Sequence, residues 1–485
     1  MELIVHSAGK KMRIPFREKQ NLLSLLRENG INIPARCGGN GTCGKCRVKL
    51  LSGALEGEEK GGFYLACKSQ ICSPAEIEVY ETEGGGLTET QERIFAADGE
   101  SGLGAALDLG TTTMAFSLVD LKDGKELAKR SCLNPQGAFG ADVLSRIKAA
   151  SEGARDKLKD CVLKKTAEVL SSLCREAGVC SLKRLTVAGN TTMLHLFIGA
   201  DAEGIGRYPF TPAFTETQRV GGSVLALPCE EVVLLPSASA FIGSDVICGA
   251  HFVGLDKTEG VLLDLGTNGE ILLNAGGRIF TTSAAAGPAF EGANIECGTG
   301  GVAGAIDRVK AENGKISFTT VGGAPAVGIC GSGLTDAVAA LLETGGIDQT
   351  GAMKSDRFDL TDGVYLTQKD VREFQLAKSA IAAAVQALLA RAGVAGTKLF
   401  VAGGMGFYLD RESVEKTGLL PPALASSFTA AGNTGLGGAK ACLVSSAALQ
   451  ACEKLARSAE YVDLSCDEVF MEKYMEYMGF PGAEE

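Results

Sequence analysis

The hydrophobic pattern changes period along the chain, and each change marks an element. Within residues 1–16 apolar and polar positions alternate on either side of Ala8-Gly9-Lys10, which predicts a β-hairpin turning at the glycine. Leu22, Leu23, Leu25 and Leu26 fall at helical spacing and predict one short helix ending at Gly30. Arg47-Val48-Lys49-Leu50 and Ala75-Glu76-Ile77-Glu78-Val79 read as further strands. Strands around a single helix predict a small β-grasp domain over residues 1–83. Residues 84–102 lose this patterning. They are glycine-rich at both ends, and they predict a tether whose middle forms a short helix and which lets the first domain move.

From Leu103 the pattern becomes that of buried strands and helices, and one motif occurs twice. Ala105-Ala106-Leu107-Asp108-Leu109-Gly110-Thr111-Thr112-Thr113 leads into a second apolar strand, and so does Val261-Leu262-Leu263-Asp264-Leu265-Gly266-Thr267-Asn268-Gly269-Glu270. Each predicts two strands joined by a glycine turn. Two further strands run into turns, at Ala188-Gly189-Asn190-Thr191 and at Val401-Ala402-Gly403-Gly404. Asn190 and Thr191 are placed to cap the apolar helix that follows, and His195 on that helix is expected in the core rather than on a metal. Residues 377–392 predict a buried alanine-rich helix, with 332–342 and 438–455 of the same kind. The Met- and Tyr-rich run 470–480 predicts an amphipathic tail packed back on the body. The division expected is a lobe over 103–257 and a second over 258–485 whose C-terminal helices return to the body. The fold class is thus α/β multidomain.

The first domain carries the most specific chemistry. Cys37, Cys43 and Cys46 lie in a C-x5-C-x2-C run, and Cys67 follows after room for a hairpin. This layout is close to the plant-type ferredoxin spacing and points to a [2Fe–2S] cluster with those four residues as ligands. Gly38, Gly39 and Gly41 let the backbone wrap closely and aim amides at the sulfurs. Zinc is the alternative for paired thiolates, though zinc sites usually show two separate C-x2-C pairs. Cys72 is expected to be a buried bystander thiol. A chain with such a cluster carries electrons.

The repeated hairpins suit a polyphosphate. Gly110, Thr111, Thr112, Gly266, Thr267 and Asn268 offer turn amides and hydroxyls to phosphate oxygens. Asp108 and Asp264 are candidate carriers of Mg²⁺, held through water because that ion dehydrates reluctantly. Gly403 and Gly404 leave room for an adenosine, and Glu270 and Glu291 are candidates for the water-activating base. Neither hairpin contains Lys or Arg, so charge neutralisation is expected to rest mainly on Mg²⁺ and amides. The glycine-rich runs at 298–301 and 328–333 lack the Lys-Ser/Thr pair of a P-loop.

Bulk properties narrow the setting. The 485 residues have 16 cysteines, net charge −11 and no basic-then-apolar leader, so free thiols in a reducing, oxygen-poor cytoplasm are expected. No run of eighteen apolar residues predicts a membrane span, and the acidic balance speaks against nucleic acid. Arg36, Lys45 and Arg47 beside the cluster loop could steer an acidic electron partner or simply be solvated.

The series of hairpin, strand–Gly-Asn turn, hairpin, strand–Gly-Gly turn resembles the sugar kinase/chaperone/actin superfamily of two-lobed ATPases. Fused to a C-x5-C-x2-C domain, it resembles the reductive activators of corrinoid-dependent methyltransferases. The runs 134–147, 283–292 and 432–439 carry the same likeness over nearly the whole chain. That resemblance implies ATP-driven reduction of inactive Co(II) to Co(I) in a corrinoid protein, with electrons from an upstream low-potential donor. A homodimer is left open. Such reduction is uphill from a donor of roughly −400 mV, and every ~59 mV of mismatch lowers the equilibrium tenfold. Two departures stand out: the segment before the first hairpin is short, and Cys442, Cys452 and Cys466 are too far apart for a C-terminal ferredoxin-like cluster. A small-molecule kinase and a redox-sensing nucleotide-binding interaction protein are the alternatives. Radical-dehydratase activators, which bridge a [4Fe–4S] cluster between subunits and lack a ferredoxin domain, fit poorly.

Overall fold

The computed structural model describes residues 1–482 apart from 8, 9, 17, 18, 30, 32, 34–45, 58, 61, 80–94, 313 and 314. In the N-terminal domain Glu2–Ser7 and Lys10–Pro15 form the expected antiparallel pair, with Leu3 opposite Ile14 and Val5 opposite Met12. Glu2–Ser7 also pairs in parallel with Ala75–Val79, which pairs antiparallel with Arg47–Ser52. Alternation puts Leu3, Val5, Val48, Ala75, Ile77 and Val79 on one face, buried against Leu22, Leu23, Leu25 and Leu26 of the helix Leu22–Glu28. Asn21 starts that helix, its side chain accepting from the Ser24 amide at 3.1 Å. The result is a sheet grasping one helix.

Two six-stranded sheets form the body, and five strands of each share one order. In the first, Leu103–Leu109 pairs antiparallel with Thr113–Asp120, which pairs with Glu126–Leu133. On its other side lie Leu182–Gly189 and Cys229–Leu234, both parallel. In the second, Gly260–Leu265, Gly269–Ala275 and Arg278–Ala284 make the meander, and Leu399–Ala402 and Thr429–Gly432 add in parallel. Numbered along the chain, the strands run 3-2-1-4-5 in both sheets. Each repeated hairpin is therefore the centre of a sheet, and its Gly-Thr turn lies at the end where the parallel strands also end.

Helices Ser244–Val253 and Thr434–Val444 fill the space between the sheets. Their core unites Ala106 and Ala115 from the first sheet with Leu262, Leu272 and Ala402 from the second. Glycines bring the two helices backbone to backbone: a Cβ on Gly438 would stand 2.3 Å from the Cys248 carbonyl oxygen. The outer face of the first sheet is covered by Arg155–Ala177, and that of the second by Gly331–Glu343 and Gln368–Ala392. The alanine-rich helix begins at Gln368, well before residue 377, because Thr367 and Asp370 close a capping box there.

Two expectations are corrected. Residues 438–455 are not one helix: Ser445 adopts φ −137°, ψ 117° and separates Thr434–Val444 from Ser446–Ser458. Nor is the whole of 84–102 a free tether. Its described part is bound to the body, with the Phe95 ring 5.9 Å from those of His251 and Phe252. The Asp98 amide donates to Val444 O at 2.9 Å, and its carboxylate accepts from the Ser446 amide at 2.8 Å, one of the free N–H groups of a helix start. The short helix expected in the middle of this segment lies outside the described residues. The C-terminal tail does return. Lys378 Nζ donates to Tyr477 O at 2.5 Å and Gly479 O at 2.7 Å, and Phe480 is buried. Among the described residues no helix is long and apolar enough to cross a membrane.

Candidate cluster and nucleotide sites

Cys46 ends the loop before the Arg47–Ser52 strand, and Cys67 sits in the short turn Ala66–Lys68. Their Sγ atoms are 3.2 Å apart with no disulfide between them. The Ala66 amide donates to Cys46 O at 2.8 Å, and Asn21 Nδ2 donates to Cys67 O at 3.0 Å, so both turns are tied down. The Cys67 amide points at Cys46 Sγ at 3.5 Å, which favours the thiolate form. Two converging sulfurs with an amide aimed at one of them fit a metal–thiolate centre. Cys37 and Cys43 lie outside the described residues. Cys72 is half-buried rather than buried, its thiol 3.9 Å from Ala54 O.

In the body, Asp108 and Asp264 occupy matching positions one residue before the end of their strands. Across the hairpin Asp108 faces Ala115, whereas Asp264 faces Glu270. The helix-capping asparagines connect to these hairpins. Asn190 Oδ1 accepts from the Met193 amide at 2.9 Å, while its Nδ2 donates to Thr111 Oγ1 at 3.1 Å. Asn433 Oδ1 accepts from the Leu436 amide at 2.7 Å, while its Nδ2 donates to Asp108 Oδ2 at 2.7 Å. Asn433 follows a strand of the second sheet, so this bond joins the two halves of the body. Thr267 Oγ1 donates to Glu291 Oε2 at 2.9 Å, which places Glu291 beside the second turn.

Glycine is required where backbone meets this cluster. Gly403 has φ +89°, and a Cβ there would lie 2.5 Å from Leu265 O and 2.9 Å from Asp264 Oδ1. Its neighbour Gly404 faces open space. Thr112 and Asn268 are exposed at the tips of their turns, and Gly110, Thr111, Gly266 and Thr267 are half-buried.

Besides Asn433, the structure gives site roles to three residues to which the sequence assigned none: Asp245, Arg146 and Asn134. Asp245, in the first turn of Ser244–Val253, is the first: a Cβ on Gly435 would touch both Asp245 Cβ, at 3.3 Å, and Asp108 Oδ1, at 3.2 Å. Asp108, Asp245, Asp264 and Glu270 therefore converge. Burial lifts Asp108 to about 6 against the lowering effect of Asn433, and burial with repulsion from Asp108 lifts Asp264 to about 7. Asp245 and Glu270 are pushed up by the same loss of hydration and by the neighbouring carboxylates. Acids crowded in this way favour either protons or a hard cation.

Arg146 and Asn134 complete the first turn. Asn134 Nδ2 donates to Gly110 O at 2.9 Å, and its own amide donates to Thr112 O at 2.8 Å. Arg146 is buried and donates to Thr111 O at 2.6 Å and Gly140 O at 2.9 Å. Burial lowers its pKa to about 10, so it stays charged. A fixed cation thus lies under the first hairpin, although the hairpin itself contains none. His195 is a core residue as expected, with Nδ1 2.7 Å from Thr191 O and Nε2 accepting from the Ala213 amide at 3.1 Å.

Comparison with known proteins follows the same division. Residues 259–485 match the C-terminal, ASKHA domain of RACo, 103–258 match the RACo middle region, and 5–72 match the 2Fe–2S iron–sulfur cluster binding domain. Over 410 residues, 77% of this chain and 69% of the relative, the sequence is 33% identical to the corrinoid activation enzyme RamQ of Eubacterium limosum. The chain belongs to the corrinoid activation enzyme family. Another relative, the [Co(II) methylated amine-specific corrinoid protein] reductase of Methanosarcina barkeri, is 26% identical over 77% of this chain and 76% of its own. A solved structure of a reductive activator for a corrinoid, iron–sulfur protein superposes with TM-score 0.71 at 29% identity, covering 99% of this chain and 98% of that one. The family's combination of an iron–sulfur domain with an ASKHA body matches the two sites described above.

Proposed function

We propose that this chain is an ATP-dependent reductive activator that passes one electron from its [2Fe–2S] cluster to Co(II) of a corrinoid protein, regenerating Co(I). The observation that carries this reading is the coexistence on one chain of a converging thiolate pair and a half-buried, desolvated carboxylate cluster between twin phosphate hairpins. When bound, the cluster supplies a single low-potential electron, drawn from an upstream donor. The exposed Arg47 beside Cys46 suits an acidic donor or acceptor surface.

Within the body, Asp108, Asp245 and Asp264 would hold Mg²⁺ through water. Gly110, Thr111, Thr112, Gly266, Thr267 and Asn268 would cradle phosphates, and Gly403 and Gly404 would floor the adenosine. Glu270 is the better candidate for the base, since it faces Asp264 across the hairpin while Glu291 is engaged by the Thr267 hydroxyl. Glu291 orients Thr267. Closure on nucleotide would move the two sheets about the helices between them, and the closed form must differ from the open form in its affinity for the corrinoid protein or in its effect on cobalt.

The test is an anaerobic absorbance trace of a Co(II) corrinoid protein with this protein, a reductant and ATP. Co(I) should appear only with hydrolysable ATP; reduction independent of ATP would sink the coupling. The carboxylate cluster adds a pH prediction. Asp108 at about 6 and Asp264 at about 7 hold protons more tightly folded than unfolded, where Asp titrates near ~3.9. Their contribution to stability is therefore full below about pH 4 and is lost as pH rises through about 6 to 7. The thermal midpoint of metal-free protein should fall across that window, and added Mg²⁺ should recover it most at the upper end. A midpoint insensitive to Mg²⁺ at pH 7.5 and above would remove the cation from the cluster.

A further inference from the structure

The helices between the sheets carry a second group of metal-binding side chains, far from the ferredoxin cysteines in sequence. Cys248 on Ser244–Val253, Cys442 on Thr434–Val444 and Cys452 on Ser446–Ser458 hold their Sγ atoms within 4.8 Å of one another. Cys442 and Cys452 are 3.5 Å apart, and all three are buried. The break at Ser445 folds Thr434–Val444 and Ser446–Ser458 together, and the packing of Thr434–Val444 on Ser244–Val253 brings in the third thiol.

A core of small residues can bury thiols as ordinary apolar groups. One neighbour distinguishes this cluster. His251 lies one turn after Cys248 on the same helix and is only 8% exposed. Its Nδ1 is 3.1 Å from Asp256 Oδ2 but outside hydrogen-bond geometry, and Nε2 likewise has no hydrogen-bond partner among the described residues. Its nitrogens lie outside the 4.8 Å group formed by the three sulfurs, one helical turn from Cys248. A carboxylate beside one imidazole nitrogen, in a buried ring with neither nitrogen hydrogen-bonded, suits a histidine that can turn onto a metal while the carboxylate orients it. A Cys442–Cys452 disulfide would leave both Cys248 and this ring unexplained.

We propose that Cys248, Cys442 and Cys452 bind a thiophilic divalent cation, with Zn²⁺ as the ion to test, and that the His251 ring, which stands outside the group the three sulfurs form, turns to supply Nε2 as the fourth ligand of a closed Cys3His site. Tetrahedral zinc with Zn–S of about 2.3 Å needs sulfurs roughly 3.8 Å apart, so the Cys442–Cys452 pair at 3.5 Å would open slightly within a trio that already lies within 4.8 Å. Binding displaces the three thiol protons, so the ion exchanges for protons and the filled Cys3His site carries a single net negative charge. The site joins the helix whose first turn holds Asp245 to the helix capped by Asn433, the Asp108 partner. Zinc there fixes the spacing between the two helices on which the carboxylate cluster depends.

The experiment uses full-length protein, purified anaerobically with its cluster intact by absorbance, so that the N-terminal cysteines are not free to take zinc. Elemental analysis after titration with Zn²⁺ and passage over a desalting column should find stoichiometric zinc in the wild type and none in Cys452→Ser. Zn²⁺ should also raise the thermal midpoint of the wild type alone. His251→Gln preserves the packing and all three thiols, and it should weaken zinc binding by about 10–100-fold. It keeps the test decisive should Cys452→Ser fail to fold. Equal zinc in wild type and both variants, or no retained zinc in the wild type, would overturn the proposal.

Discussion

Asp264→Asn is expected to abolish ATP turnover while leaving the absorption of the iron–sulfur cluster unchanged. The substitution preserves shape, so Gly403 still accommodates the side chain, but it removes one negative charge from a site whose proposed role is to hold a cation through water. Losing such a partner lowers metal affinity or activity by about 10–100-fold at least. Stability should move the opposite way. Asp264 is repelled by Asp108 and itself repels Asp245 and Glu270. An amide at this position relieves that repulsion, so the metal-free variant should melt higher than the wild type at pH 7.5. Lost turnover in a more stable protein identifies lost chemistry rather than lost fold. Turnover retained within a factor of two would remove Asp264 from the site. Asp108→Asn is a harsher change, because the Asn433 amide would then lose a charge-assisted bond that links the two sheets.

What could be read from the sequence is what local chemistry determines. The D-L-G-T hairpins were legible because an apolar run, a glycine turn and a second apolar run are contiguous, and repetition made the pair specific. The Asn190 cap and the cysteine spacing are similarly local. Asp245, Asn433 and Arg146 escaped because their roles depend on topology. Asp245 sits in an unremarkable Gly-Ser-Asp helix start, and only the 3-2-1-4-5 order of both sheets brings that start to the two hairpins. Arg146 lies far along the chain from the turn it supports, with no charge pattern linking them. The break at Ser445 carries no Gly or Pro signal at that residue; it coincides with Asp98 bonding to the next helix start. That contact also explains why residues 95–102 read as a linker. Phe95 and Ala97, Asp98, a Glu100–Arg184 ion pair and the Gly102 carbonyl anchor them, scattered contacts that create no periodicity. The same folding together of distant helices hides Cys248, Cys442 and Cys452 from any motif search.

Cys67→Ser is expected to abolish Co(I) formation while leaving basal ATP hydrolysis in place. Serine replaces a soft thiolate with a hard, far less acidic oxygen, and iron–sulfur clusters depend on thiolate ligation for assembly and for potential. The backbone at this position should tolerate the change. It is held by Asn21 and by the Ala66–Cys46 bond, neither of which uses the sulfur. Visible absorption of the cluster should therefore be lost or shifted without unfolding of the domain, and Cys72→Ser, with its sulfur directed toward Ala54 O, serves as the control that leaves absorption unchanged. Comparing the two variants separates the two halves of the activity. In Cys67→Ser the carboxylate cluster and both hairpins are untouched, so ATP should still turn over while no electron reaches cobalt. Cobalt reduction at the wild-type rate would place the electron path outside the N-terminal domain. Loss of basal hydrolysis together with reduction would mean that the cluster's presence, and not only its electron, sets the state of the ATPase body.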